Sequence, residues 1–265
     1  MGSKLTNNSI MITLLNGETW NKEEILTQMY DDDFYYGHLG KHALSSSSLK
    51  MILKSPKTYK YVTKYGDPSS HSSALAMGKL IHWMILEPHK IDSLNFIESS
   101  TKGTKVYKEA VVMHGEVFLN KERSAAERVT DAVLRNEQAL RFLNKAEFEV
   151  PAVEMIEGLP FRAKADIIQG NTIIDIKSTA DLNSFRYSAD KYGYDLQAYL
   201  YTKMFKADDF KFLVVDKGSL DIGIFETTED FLAKGKAKFD KAVEAYKYFF
   251  EDDNDLDQYV MRAIL

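Results

Sequence analysis

A chain that reads Phe161-Arg-Ala-Lys-Ala-Asp-Ile-Ile168, turns at Gly170-Asn171 and goes on Thr172-Ile-Ile-Asp-Ile-Lys177 is confined to a β-hairpin. Apolar strand formers flank a two-residue turn of the kind that joins antiparallel strands. The hairpin brings Asp166, Asp175 and Lys177 to one end. Lys177 shares a strand face with Asp175, because side chains two apart point the same way. Both are expected near a strand end, where truncation leaves no core cavity.

Two carboxylates on adjacent strands can hold a hard divalent cation, which prefers oxygen ligands. A lysine on the same face can orient a water beside it, and that combination suits hydrolysis of a phosphodiester. The bland alternative is a salt-bridged strand end, since any charged surface strand can produce an acid-x-Lys triplet. A second triplet, Asp209-Phe-Lys211, follows Met204–Asp208 and reads as a helix exit with solvated charges. On the strand before the hairpin, Glu149 and Glu154 could also meet a metal, but each reads first as a solvent-facing strand acid.

Three other stretches belong with the hairpin. Tyr192–Phe205 carries Leu196, Tyr199, Leu200 and Met204 at helical spacing, with Gln197 and Tyr201 one turn apart on a single face. Ser72–Leu86 is an apolar helix with a serine-rich start and Pro88 just past its end. Its Gly78 and His82 share a face, with Gly78 open to close backbone approach. A lone histidine there is either a core residue or a ligand. Between His42 and Lys64 the serines cap a helix, and Ser55-Pro56 separates it from a second one. From Lys41 to Lys64 there are six lysines and no acids. Interleaved serine, lysine and tyrosine suit a phosphate backbone, and equally a solvated basic face.

The order Ser-Ser-x-Leu-Lys, Gly-Lys-x-x-His, Asp…Asp-x-Lys, Gln-x-x-x-Tyr resembles the RecB/RecE-type branch of the PD-(D/E)XK nuclease superfamily, most of all phage and prophage exonucleases of the RecE kind. The resemblance spans about residues 42–250. It implies that His82, Asp166, Asp175 and the backbone carbonyl of Ile176 hold one or two Mg²⁺ or Mn²⁺ ions. It implies catalytic roles for Asp166, Asp175 and Lys177, with Gln197 and Tyr201 orienting the site and touching DNA. The expected DNA contacts are Ser48, Lys50, Lys54, Lys57 and Lys60, then Lys102 and Lys105 on a charged loop read as a mobile flap. The family's usual Arg-x-Asp is replaced here by Lys164-Ala-Asp166.

The implied activity is a metal-dependent deoxyribonuclease, a RecE-like exonuclease of recombination or DNA degradation. The alternatives are a single-strand- or structure-specific endonuclease on the same fold and a non-catalytic DNA-binding recombination subunit. A single-strand annealing protein is the partner such exonucleases work with, and oligomers are open. With 265 residues, 45% apolar and 28% charged, the chain is an ordinary globule without a membrane-length apolar run. The absence of cysteine fits the reducing cytoplasm of a bacterial host or infected cell. Net charge of −5 leaves nucleic-acid binding to one basic face, with acids clustered at Asp31–Asp33 and Glu251–Asp257.

The expected architecture is α/β: a central mixed β-sheet flanked by helices, a restriction-endonuclease-like core with an N-terminal helical portion. Residues 1–40 are expected to be an extension, with a strand at 11–15 and a helix at 21–30. Residues 41–265 are expected to form one nuclease domain: helical part 41–145, sheet core 146–228 and C-terminal helix 229–250.

Overall fold

The computed structural model describes residues 10–66 and 73–261. The N-terminal part contains a two-stranded ribbon, β1 (Met11–Thr13) with β2 (Thr19–Asn21), then α1 (Lys22–Gln28), a π-helical turn at Asp33–His38 and α2 (Leu39–His42). Next come α3 (Ser46–Lys54), α4 (Pro56–Tyr65) and α5 (Ser73–Leu86). Ser45 caps α3 by accepting from the Ser48 amide, and the α3–α4 break falls at Ser55-Pro56, as the proline requires. The serine-rich start expected at Ser72 lies partly outside the described residues.

The expected helical part, 41–145, contains two short strands as well. β3 (Asn95–Ile97) pairs in parallel with β4 (Val117–Leu119) around α6 (Lys105–His114), before α7 (Asn120–Arg135) and α8 (Glu137–Leu143). These strands are three residues each and pair across the intervening helix, so no local alternation announces them.

The central sheet follows the expected α/β plan. Its five strands lie in chain order: β5 (Glu147–Ile156), β6 (Leu159–Gln169), β7 (Thr172–Thr179), β8 (Asp209–Asp216) and β9 (Ile222–Glu226). β5, β6 and β7 are antiparallel, β7 and β8 parallel, and β8 and β9 antiparallel, so the sheet is mixed. The parallel pair needs a crossover, supplied by α9 (Phe185–Lys191) and α10 (Tyr194–Phe205). The helix expected at Tyr192–Phe205 begins at Tyr194, after Gly193 at φ 62, and α9 precedes it as a second, unexpected helix. α11 (Glu229–Tyr246) ends the fold core.

The second acid-x-Lys triplet is not a helix exit. Lys206, at φ 54, ends α10, and Asp209 opens β8, where Lys211 pairs with Glu226 at 2.6 Å.

Helices cover both sheet faces. Phe161, Ala163, Ala165, Ile173, Phe212 and Val214 pack with α3, α10 and α11. Ile167, Ile174, Ile176, Leu213 and Val215 pack with α5 and α7. The change of face between Ala165 and Ile167 matters, because strict alternation would keep both on one side. Asp166 stands at this break. β6 and β7 pair only at Gln169↔Thr172, Ile168↔Ile173 and Ile167↔Ile174, counting from the turn outwards. Beyond them the strands part, while β7 stays paired with β8 along its whole length. In the gap the Asp166 carboxylate accepts the Ile176 amide at 2.8 Å, in place of a ladder bond.

Candidate active site

The fork between β6 and β7 gathers the candidate residues. On the α5 side, His82 Nε2 lies 3.2 Å from Glu149 Oε1 and 3.2 Å from Asp166 Oδ1. Ligand atoms of these three residues lie within 4.8 Å of one another. One imidazole nitrogen and two carboxylate oxygens are a fitting donor set for a small divalent cation. The imidazole here bridges two acids. Burial works against its charged form, but Asp166 and Glu149 outweigh it and raise its pKa to about 10. An imidazolium thus supplies the positive charge these acids demand. Asp166 is held below the ordinary carboxylate range: burial opposes ionisation, but His82, Lys177 and the Ile176 amide prevail. Burial pushes Glu149 up despite its bond to His82.

Glu149 is not the solvent-facing strand acid expected of it. Its side chain is 13% exposed, and its backbone sits at φ 52 inside a β-strand. That left-handed conformation costs a non-glycine residue of order 1–3 kcal/mol and concentrates at functional sites. The register explains the placement. Phe148↔Ile167 and Val150↔Ala165 set Glu149 opposite Asp166, so β5 is irregular where β6 is. Glu154 is elsewhere, paired with Lys22.

On the α10 side, Asp175 is 1% exposed and lies in the middle of β7, so the expectation of a strand-end side chain fails. Gln197 Nε2 donates to Asp175 Oδ1 at 2.6 Å, and Lys177 Nζ closes an ion pair on Oδ2. Burial, with the nearby Asp166 charge, raises the Asp175 pKa to about 6 even against Lys177. Lys177 is raised too: burial disfavours its charge, but Asp175 and Asp166 hold the proton on. Asp175 lies beside the three-donor cluster rather than within it. Tyr201, one turn beyond Gln197, is buried against Phe205 and Phe210, and its hydroxyl is pushed up chiefly by burial.

α10 is pinned where it delivers Gln197. A Cβ at Gly235 of α11 would lie 2.1 Å from the Asp195 carbonyl oxygen, so only glycine admits this approach. Beside it the buried Asp195 carboxylate meets Lys238 at 2.7 Å.

A cleft of about 1220 Å³ opens over the fork and is bordered by His82, Glu149, Ile176 and Lys177. Gly78 borders it as well, but nothing lies within 4 Å of a Cβ built there, so no backbone makes the expected close approach. Among the candidate DNA contacts only Lys50 lines the cleft, its Nζ 5.4 Å from the Tyr194 ring centre. Burial and the neighbouring Lys177 charge lower its pKa to about 8. Ser48 is buried within the α3 cap. Lys54, Lys57 and Lys60 are exposed on α3 and α4, with Lys57 bonded to Asp257 at 2.6 Å. Lys102 turns back onto the buried Glu122 at 3.0 Å, and Lys105 faces Glu109 at 3.7 Å. The 99–105 loop is closed by a 2.6 Å bond between the Ser99 and Thr104 hydroxyls.

Residues 45–255 match the model of a family described as a PDDEXK-like domain of unknown function (DUF3799). No curated protein matches the chain. Among solved structures, a candidate exonuclease from Eubacterium rectale superposes with a TM-score of 0.64 at 15% identity, covering 89% of this chain and 95% of that one. At that identity the likeness speaks for the fold. A phage-related exonuclease from Haemophilus somnus shares 16% identity over 80% of this chain and 96% of its own, with a TM-score of 0.33, too low to support an argument. No helix among the described residues is long and apolar enough to cross a membrane.

Proposed function

The chain belongs to the PDDEXK-like family, whose fold is that of a nuclease, and from this premise we propose that it is a divalent-metal-dependent deoxyribonuclease, an exonuclease of the RecE kind. The observation that carries the reading is the convergence of His82, Glu149 and Asp166 at the fork, with Lys177 on the same cleft wall.

His82, Glu149 and Asp166 would hold a Mg²⁺ or Mn²⁺ ion, with the Ile176 carbonyl beside them. Such an ion lowers the pKa of bound water and offsets charge building on the scissile phosphate. The side chains do the rest. Lys177, kept charged by Asp175, orients the attacking water and donates toward the phosphate. Gln197 fixes the Asp175 carboxylate so that Lys177 has one position to occupy. Tyr201 packs behind Gln197 and keeps that turn of α10 in place. Lys50 meets a phosphate along the cleft, and the partly buried ammonium is an effective point charge there.

The test is cleavage of labelled linear duplex, linear single-stranded and circular single-stranded DNA with Mg²⁺, Mn²⁺ or EDTA. Release of mononucleotides or short products from linear DNA only, abolished by EDTA, is expected. Cutting of circles would make the enzyme an endonuclease, and no cleavage with either metal would remove the nuclease reading.

A further inference from the structure

The cleft walls carry aromatic rings and few free cations, a composition unsuited to a duplex. Tyr36 is 63% exposed and Tyr192 is 53% exposed, yet both border the cleft. Tyr36 comes from the N-terminal π-helical turn, within electrostatic reach of Glu149. Tyr192 stands at the other end, 6.0 Å from the Tyr194 ring, which in turn lies 5.0 Å from Lys177 Nζ. Trp83, which also borders the cleft, has Lys79 over its face at 4.4 Å. Exposed aromatic rings thus border the cleft both near Glu149 and near Lys177.

The lysines of the same walls are mostly spoken for. Lys79 bonds Glu116 at 2.8 Å, Lys90 bonds Asp32 at 2.5 Å and Glu87 at 2.8 Å, and Lys177 pairs with Asp175. Lys50 and Lys217 are the lining lysines that meet no carboxylate among the described residues. A duplex presents a negative charge about every 1.7 Å of its axis and is gripped by many lysines and arginines. A single strand is a sparser charge, and its bases offer π-faces that aromatic side chains hold without reading sequence. The cleft volume also exceeds the roughly 300–1,000 Å³ of small-ligand sites, which suits a stretch of polymer.

We infer that the cleft binds single-stranded DNA, with bases stacked on Tyr36 and on Tyr192 on either side of the fork and the backbone met by Lys50 and Lys217. The inference builds on the nuclease reading but makes a separate claim about binding. A duplex would have to be frayed before its strand entered.

Fluorescence anisotropy with labelled oligothymidylate and with a labelled duplex, both in EDTA so that nothing is cut, tests it. The single strand is expected to bind at least roughly tenfold more tightly than the duplex. Tyr36→Ala and Tyr192→Ala are each expected to weaken single-strand binding roughly tenfold, the scale of one lost stacking contact, with Tyr→Phe retaining it. Both rings are largely exposed, so truncation spares the core, and circular dichroism confirms the fold. Equal or tighter duplex binding, or unchanged single-strand affinity in both alanine variants, would overturn the inference. If the tyrosines bind single strands but no metal supports cleavage, the groove stands and the nuclease reading falls. If only duplex is bound and cut, the reverse holds.

Discussion

The two sides of the fork hold acids in opposite ways. On the α5 side, Glu149 and Asp166 face one imidazole, and the bridging proton sits where a cation can replace it. On the α10 side, Asp175 has one oxygen on Gln197 and the other on Lys177. The first group is an open valence; the second is a closed hydrogen-bonded unit that sets the direction of a lysine. On the proposed reading, adjacent strands of one hairpin would give one carboxylate to ligation and another to orientation. The difference follows from which helix packs on each face, not from the residue type.

The comparison is tested most severely at Lys177. Lys177→Ala is expected to lower the cleavage rate about 10²–10⁴-fold while metal affinity changes little, as steady-state rates beside metal titration will show. Asp175→Ala should lose activity and also about 3–5 kcal/mol of stability, because it strands a partly buried lysine and a glutamine. Denaturant melts check this, and an unchanged midpoint would mean the pair is not closed as described. Gln197→Ala is the milder perturbation of the same side, expected to cost roughly 10–100-fold in rate, as removal of an orienting partner does.

The α5 side is probed through its proton. A His82 pKa near 10 means the ring is charged in the metal-free protein at neutral pH. The raised value stabilises the metal-free fold fully below the ordinary histidine range, and that stabilisation is lost as pH climbs through about 10. A ligating imidazole must be neutral, so metal binding should release a proton and tighten as pH rises, by up to about tenfold per unit. Calorimetry in buffers of different ionisation heat counts that proton, and His82→Gln should abolish its release. Glu149→Gln should weaken the metal roughly tenfold or more without touching the Lys177–Asp175 pair.

How much of this was legible in the sequence depends on the distance over which each feature is decided. The hairpin and the helices around Ser55-Pro56 are written in turn residues and alternation, which act locally. Asp166, Asp175, Lys177 and Gln197 follow from that hairpin and from one helical turn. Glu149 does not, because a strand residue at φ 52 breaks the alternation any reader would apply. Its signal is the register, which places it opposite Asp166 only once β5 and β6 are paired. The six-lysine stretch misleads about geometry for a related reason: a run of charge does not say which side chains turn toward a cleft, and of that run Lys50 alone borders it.

A weaker effect belongs to α11. Gly235→Ala should cost about 1–3 kcal/mol through overpacking and shift α10 enough to loosen Gln197 from Asp175, lowering rate more than metal affinity. The smallest effect separates Lys50 from its neighbours. Lys50→Ala should reduce the slope of log affinity against log salt by about 0.7–0.9, while a Lys57→Ala, Lys60→Ala double variant leaves the slope nearly unchanged. An equal drop in both would place DNA on the exposed α3–α4 face as well.

The parting of β6 from β7 also makes the backbone a reporter of occupancy. The Ile176 amide rests on a side chain, Asp166, where a neighbouring carbonyl would normally serve. A carboxylate can be drawn away by a competitor; a ladder carbonyl cannot. Whatever claims Asp166 therefore tugs on a single amide proton in the middle of an otherwise paired strand. Exchange of that proton with solvent would register loading of the site from inside the sheet, with no need for turnover.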